Sequence, residues 1–198
     1  MCSPVASHVL PMVAGHVVQE TSLIAFENVP TVVGHVVPAT PTTIVRYIAN
    51  EFTGEYLGAS KHYYYDDDSS VFLTDWASQS DKAPKFLWSI VAANGKTSDC
   101  VIVNVATGKY LRDTEDACNG VGDHAVVTSA DGSGVQCHWR AQHEGSGSYT
   151  LLNIGTGYVL GASKKTFNSR WDHHVLCSPE ATPDPSFSKW RWTLIEPQ

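Results

Sequence analysis

Residues 104–111 read Asn-Val-Ala-Thr-Gly-Lys-Tyr-Leu, and two other stretches of the chain repeat this pattern. It starts again at Asn50, as Asn-Glu-Phe-Thr-Gly-Glu-Tyr-Leu, and at Asn153, as Asn-Ile-Gly-Thr-Gly-Tyr-Val-Leu. Each copy follows a short apolar run. Thr-Gly between two apolar runs predicts a tight hairpin, because glycine adopts positive φ without steric cost. The three copies therefore predict three similar units built from strands.

A tryptophan follows each copy, 35 to 39 residues after its asparagine. These tryptophans lie in runs where apolar and polar residues alternate, which is typical of half-buried strands. The residues predicted to share the buried face are Phe86, Trp88, Ile90, Cys137, Trp139, Ala141, Trp190, Trp192 and Leu194. Another apolar run lies between the hairpin and the tryptophan of each repeat, so we expect about four strands per repeat and no helix.

Repeats of four strands are compatible with propeller blades or with a trefoil. Propellers have at least about four blades, whereas three repeats that close a barrel leave no strand edge exposed. The sequence therefore predicts an all-β fold, a β-trefoil of three four-stranded repeats, over residues 43–198. The predicted repeats span about 43–97, 98–148 and 149–198.

Composition limits the partners and the location of this 198-residue chain. Its net charge is −7, so it lacks the basic surface that binds nucleic acid. No apolar run reaches the roughly 18 residues of a membrane-spanning helix, so we expect no membrane insertion. No Lys or Arg precedes Arg46, so the basic segment of a secretory signal is missing and we expect a cytoplasmic protein.

Residues 1–42 precede the repeats and contain a small duplication of their own. Val-Ala-Gly-His-Val-Val at 13–18 recurs as Val-Val-Gly-His-Val-Val at 32–37. Valine-rich runs favour extended structure, and three prolines after residue 29 exclude a helix there. We expect an extended arm that packs on the trefoil or pairs with a second copy, which would make a homo-oligomer.

The chain shows no motif for metal binding, cofactor binding or catalysis. Its five cysteines have irregular spacing, which favours reduced thiols, although Cys118 and Cys137 could close one loop within repeat 2. Three consecutive aspartates at 66–68 are more typical of a solvated turn than of a Ca²⁺ site. No catalytic or phosphate-binding motif occurs. We therefore expect a protein without enzymatic activity, bound metal or cofactor.

The three hairpins, each leading to a Trp strand, resemble those of ricin-B-type β-trefoils, especially small intracellular lectins of fungi. The resemblance covers residues 43–198 and implies a non-catalytic lectin whose partners are glycans or glycoproteins. Related trefoils include cysteine- and serine-protease inhibitors, so an inhibitor that presents loops such as residues 78–82 is the alternative. A third hypothesis is a structural module that assembles through the N-terminal arm.

The residues that bind galactose in the family are replaced here. In ricin-type lectins an Asp on the strand after the hairpin binds sugar hydroxyls, and a Gln stands two residues before the Trp. The Asp positions hold Gly58, Arg112 and Gly161, and the Gln positions hold Phe86, Cys137 and Trp190. The family's sugar site therefore does not transfer, and a lectin site must use other residues.

Loops between the second and third strands of repeats 1 and 3 are the predicted replacements. Both offer an aromatic ring that can stack on a sugar, beside polar side chains that can bind hydroxyls, whereas repeat 2 has no aromatic residue there. The predicted ligand-binding residues are Asn168, Arg170, Trp171, Asp172, His173, Tyr64, Asp66, Asp68 and Trp76. We expect Trp171 to be the stacking surface, the alternative being that it closes the end of the barrel.

Overall fold

The residues that the computed structural model describes form twelve strands, and four fall in each repeat. The structure describes residues 42–65, 68–75, 84–93, 99–118, 122–166, 173–179 and 188–197, except for the side chains of 61–65 and 166. The strands are β1 (Thr43–Asn50), β2 (Tyr56–Tyr65), β3 (Asp68–Thr74), β4 (Leu87–Ala92), β5 (Asp99–Asn104), β6 (Tyr110–Ala117), β7 (His124–Ser129), β8 (His138–Gly145), β9 (Ser148–Asn153), β10 (Val159–Thr166), β11 (His173–Ser178) and β12 (Trp192–Ile195). The predicted N-terminal arm lies outside the described residues, apart from Thr42.

Six of the strands, two from each repeat, close a barrel. β1 pairs with β4 and β12, β5 pairs with β4 and β8, and β9 pairs with β8 and β12, all antiparallel. The other six strands form the hairpins β2–β3, β6–β7 and β10–β11. Pairing among β3, β7 and β11 joins these hairpins into a cap at one end. This arrangement is a β-trefoil, so the predicted fold class is confirmed.

The three repeat tryptophans form the centre of the core, as the alternation predicts. Each has no exposed surface, and all three belong to one apolar cluster. Each indole N–H donates a hydrogen bond to the carbonyl of the leucine that ends the repeat motif. These bonds join Trp88 to Leu57 (2.9 Å), Trp139 to Leu111 (2.9 Å) and Trp192 to Leu160 (3.0 Å). The indole N–H groups of the core are therefore satisfied by the same bond in every repeat.

The asparagine of the motif joins each repeat to the one before it. In Asn104 the Nδ2 atom donates to the carbonyls of Lys85 (2.8 Å) and Leu87 (3.3 Å) in repeat 1. Its Oδ1 atom accepts the backbone N–H groups two and three residues later, at 3.1 and 3.2 Å, and so caps the hairpin. Asn50 and Asn153 make equivalent bonds, and those of Asn50 connect repeat 1 to repeat 3.

The glycine of the motif takes the backbone conformation expected for a hairpin. The φ angles are 72° at Gly54, 68° at Gly108 and 74° at Gly157, in the region that other residues rarely adopt. Each of these N–H groups donates to the carbonyl of the motif asparagine, at 2.8 to 2.9 Å. The predicted turn is therefore confirmed in all three repeats.

The residues two positions before each core tryptophan were predicted to lie in its strand, and this prediction is wrong. They end short 3-10 turns instead, at Pro84–Phe86, Val135–Cys137 and Ser188–Trp190. In these turns the carbonyls of Lys85, Gln136 and Lys189 each accept a hydrogen bond from the side-chain amide of a motif asparagine, and these bonds hold the turns. Burial still alternates through the turn, so the sequence pattern did not reveal it.

Two further features bear on the predictions. Cys118 and Cys137 are free thiols, as are Cys100 and Cys177, so the alternative disulfide in repeat 2 is not formed. In the described part of the chain, no helix has the length and apolar character needed to cross a membrane.

Candidate functional site

Two of the predicted ligand-binding residues are described with their side chains, and each bonds to another repeat. His173 begins β11, and its Nδ1 atom lies 2.7 Å from both carboxylate oxygens of Glu55 in repeat 1. Asp68 begins β3, and its Oδ2 atom accepts a 3.2 Å hydrogen bond from Arg112 in repeat 2. Both side chains are partly buried.

These two residues lie on separate parts of the cap. His173 pairs with Leu73 near the end of β3, whereas Asp68 begins that strand. Five residues of strand separate the two points, which corresponds to roughly 16 Å. Tyr64 lies in β2, and the structure does not describe its side chain. The other predicted residues lie outside the described ranges and stay a prediction: Asn168, Arg170, Trp171, Asp172, Asp66 and Trp76.

A groove that the sequence analysis did not predict opens on repeat 3. It has a volume of about 390 Å³ and lies between the β10–β11 hairpin and the turn that precedes β12. This volume falls in the range of small-molecule sites, about 300–1,000 Å³. The hairpin of repeat 1 contributes Phe52, and the β6–β7 turn of repeat 2 contributes Asp123. All three repeats therefore form the groove together.

Phe52 gives the groove an exposed aromatic wall. Phe52 is 41 % exposed, and in the described part of the chain it shares such exposure with two other large apolar residues, Val105 and Val135. Lys164 places its Nζ atom 4.3 Å from the centre of the Phe52 ring, and Lys189 places its Nζ atom 4.4 Å from the Trp190 ring. Ser163 adds a hydroxyl beside them. Aromatic faces beside hydroxyl and charged groups can bind a ligand that has both apolar and polar surfaces.

The floor of the groove leaves no room for a side chain at position 161. Trp190 packs with Val159 and Leu176 directly over Gly161, where any Cβ atom would overlap the indole ring. The Trp190 ring, at the position where ricin-type lectins have the Gln, therefore fills the space next to Gly161, at the position where they have the Asp.

The corresponding pairs of positions in repeats 1 and 2 also match each other in size. In repeat 1 a Cβ atom on Gly58 would lie only 2.7 Å from Cε1 of Phe86. In repeat 2 the aromatic ring is replaced by the small side chain of Cys137, and Arg112 occupies the glycine position. In repeats 1 and 3 a glycine on the strand after the hairpin therefore faces an aromatic ring. In repeat 2 the larger Arg112 occurs together with the small Cys137.

The sequence contains a signal for the groove residues that is separate from the hairpin motif. Gly-Ala-Ser-Lys occurs at 58–61 and again at 161–164, in the corresponding strands of repeats 1 and 3. Phe52 lies inside the hairpin motif, where the sequence predicts a turn and does not show which neighbouring repeat its ring faces. Only the closed ring of repeats brings Phe52 to Lys164.

The described residues form no group that could hold a metal ion, and burial suppresses ionisation of two of their thiols. Among them, no group of three or more His, Cys, Asp or Glu side chains could hold a metal ion. Burial raises the pKa of Cys100 to about 12 and that of Cys137 to about 11. These sulfurs are therefore protonated at neutral pH, whereas a catalytic cysteine needs its thiolate form.

Comparison with known protein families finds the same family that the repeat motifs resemble. Residues 84–170 match the family described as ricin-type beta-trefoil lectin domain-like. This match confirms the resemblance indicated by the hairpins and the Trp strands. A search of curated proteins finds no match to this chain.

Solved structures show the same fold at low sequence identity. A Caenorhabditis elegans protein of unknown function has a TM-score of 0.63 at 16 % identity, over 82 % of this chain and 99 % of that one. The designed three-fold symmetric protein ThreeFoil has a TM-score of 0.59 at 14 % identity, over 77 % of this chain and 99 % of that one. The Polyporus squamosus lectin, solved with the epitope Neu5Aca2-6Galb1-4GlcNAc, has a TM-score of 0.58 at 17 % identity, over 76 % of this chain and 48 % of that one.

Proposed function

We propose that this chain is a carbohydrate-binding protein without catalytic activity, and that the groove of repeat 3 is one of its binding sites. The observation that carries the proposal is the exposed ring of Phe52 beside Ser163 and Asp123, on a fold of the ricin-type lectin class. A sugar presents an apolar ring face and a rim of hydroxyls, which match an aromatic wall and polar side chains.

Two kinds of likeness support a carbohydrate ligand. The family that matches residues 84–170 is described as lectin-like, and the Polyporus squamosus lectin shares the fold and was solved with a bound glycan epitope. The ligand cannot bind as in the family's polar pocket, because Trp190 fills that space in repeat 3. We therefore place the sugar over Phe52, at the outer side of the filled pocket.

The loops predicted from the sequence remain a second part of the proposal. Trp171, with Asp172 and His173, would offer a separate stacking surface between β10 and β11. His173 is the residue of this loop whose side chain the structure describes, and it contacts Glu55 of repeat 1.

A glycan array followed by titration calorimetry tests both locations. Phe52→Ala should weaken glycan binding about two- to tenfold, since aromatic stacking contributes about 0.5–1.5 kcal/mol. The variant should fold normally, because Ala106 occupies the same motif position in repeat 2. Val105→Ala is the matched control, since Val105 is 44 % exposed on another hairpin and lies outside the groove.

The outcomes separate the alternatives. Loss of binding in Trp171→Ala with unchanged binding in Phe52→Ala would move the site to the predicted loop. A wild-type protein that binds no glycan but inhibits a cysteine or serine protease would replace the lectin proposal with the inhibitor alternative.

A further inference from the structure

The groove of repeat 3 concentrates positive charge in an acidic protein. Three of the eight lysines of the chain, Lys164, Lys165 and Lys189, line it, and Asp123 is the acidic residue among its lining side chains. The lining therefore has a net charge of +2, whereas the whole chain carries −7. A local charge opposite in sign to that of the molecule creates a potential that attracts anions to this place.

The position of Lys164 makes the charge relevant to ligand choice. Its ammonium group lies over the Phe52 ring, on which a sugar would stack. A neutral sugar must displace this cation from the aromatic face and offers it no counter-ion. A sugar with a carboxylate or sulfate lets the flexible lysine move aside and form an ion pair with the ligand, which replaces the lost cation–π contact.

Lys165 adds a second cation on the neighbouring position of β10. Its side chain is exposed, and its backbone N–H is bonded to the hydroxyl of Ser163, which fixes the local direction of the strand. Within the described part of the chain, neither Lys164 nor Lys165 forms a salt bridge. Both lysines line the groove, where an anionic group of a bound ligand would meet their positive charge.

We propose that the groove selects acidic glycans, meaning oligosaccharides that carry carboxylate or sulfate groups. This inference rests on the proposed function and specifies its ligand class. Phe52 binds the face of a sugar ring, Lys164 and Lys165 pair with the acidic substituent, and Lys189 adds to the positive potential beside Trp190.

The test uses matched pairs of oligosaccharides on the full-length protein. Sialylated, uronate-containing and sulfated oligosaccharides are each compared with the neutral oligosaccharide that remains after removal or reduction of the acidic group. The proposal expects the acidic member to bind at least about tenfold more tightly, and its binding to weaken as salt rises from 50 to 500 mM because ions screen exposed charges.

Variants that remove a positive charge test which residues bind the acidic group. Lys164→Gln and Lys165→Gln should each weaken acidic-glycan binding about two- to fivefold, the range typical of an exposed ion pair. Arg46→Gln is the control, because it removes the same charge from a residue outside the groove that bonds to Glu196. Thermal melting should show all three variants folded, since the substituted side chains are exposed or partly exposed.

Each remaining result has a distinct meaning. Equal binding of the acidic and neutral members would overturn the acidic-glycan inference and leave carbohydrate binding intact. Acidic-glycan binding that survives in both lysine variants would place the anion elsewhere and overturn the inference too. Absence of binding to every oligosaccharide, neutral or acidic, would remove the proposed function itself.

Discussion

The asparagine of the repeat motif uses every polar atom of its amide to build the fold. Asn104 caps its own hairpin with Oδ1 and holds the preceding 3-10 turn with Nδ2, and it is fully buried. An N-x-x-T-G sequence is usually interpreted as a turn signal alone. Here the same side chain also links consecutive repeats, which explains why each copy of the motif begins with an asparagine rather than with another turn-forming residue.

Replacement of this asparagine should therefore cost more than loss of a turn. Asn104→Ala removes the side-chain bonds to two backbone N–H groups and to the carbonyls of Lys85 and Leu87, of which the Leu87 carbonyl still accepts the N–H of Val105. Each hydrogen bond lost costs about 0.5–1.5 kcal/mol. We expect urea unfolding to show a loss of at least 2 kcal/mol for Asn104→Ala. Asn104→Asp keeps the acceptor and loses the donor, so it should also destabilise the protein. A stability equal to wild type in Asn104→Asp would show that the link between repeats contributes nothing.

The contact between Gly161 and Trp190 makes a second prediction for single residues. Gly161→Ala should destabilise the protein by about 1–3 kcal/mol, the usual cost of overpacking a filled site. Trp190→Ala removes the ring and makes room for a methyl group. The double variant should therefore be more stable than the sum of the two single losses predicts, by about 0.5–3 kcal/mol in a double-mutant cycle. If the two stability losses were simply additive, the packing of the Trp190 ring would not depend on a glycine at position 161.

At the scale of elements, the hairpins of neighbouring repeats meet through buried polar contacts. Asp113 of β6 is fully buried and accepts hydrogen bonds from Thr156 in the hairpin of repeat 3 (2.6 Å) and from the backbone of Glu115 (3.1 Å). The ring of His124 lies 3.0 Å from the same carboxylate and stacks on Tyr158 at 4.1 Å. One carboxylate thus holds the β6–β7 hairpin against the β9–β10 hairpin.

Hydrogen exchange should detect this connection. Asp113→Asn keeps the shape but loses acceptor capacity, so we expect faster amide exchange in both hairpins and a stability loss of about 1–3 kcal/mol. Asp116→Asn is the control, because Asp116 is an exposed carboxylate on the same strand. Faster exchange restricted to β6 and β7 would contradict a role in joining repeats 2 and 3.

The secondary-structure elements are the part of the structure that the sequence predicts best. The hairpins, the Trp strands and the buried face follow from the Thr-Gly pair and from alternation, which are local signals. The 3-10 turn before each Trp strand was missed, because Phe86 and Trp190 keep the burial alternation of a strand. The groove was also missed, because Phe52, Asp123 and Lys164 come from three repeats and meet only when the barrel closes.

The whole molecule is a ring of repeats, and its closure protects the interior thiols. β12 pairs with β1, and Asn50 bonds to the turn of repeat 3, so the first and last repeats are joined. Cys177 is completely buried inside this ring, and burial raises its pKa well above the usual value. Cys118 is the exposed member of the four described thiols.

Alkylation with iodoacetamide at pH 8 should report this closure. For a pKa of about 12 only about one thiol in ten thousand is ionised at this pH, and the barrel blocks reagent as well. We expect peptide mass mapping to find Cys118 modified long before Cys100, Cys137 and Cys177. Equal rates at Cys118 and Cys177 would mean that the ring opens readily in the native protein.

The location of the ligand is tested most directly by the indole N–H signals of the tryptophans in a nitrogen–proton correlation spectrum. Trp88, Trp139 and Trp192 are bonded inside the core, whereas Trp190 lines the groove. Titration with the tightest-binding acidic oligosaccharide of the panel should shift the Trp190 signal and leave the three core signals in place. A Trp190 signal unchanged at saturating glycan, or a shift confined to Trp171, would contradict binding in the groove of repeat 3.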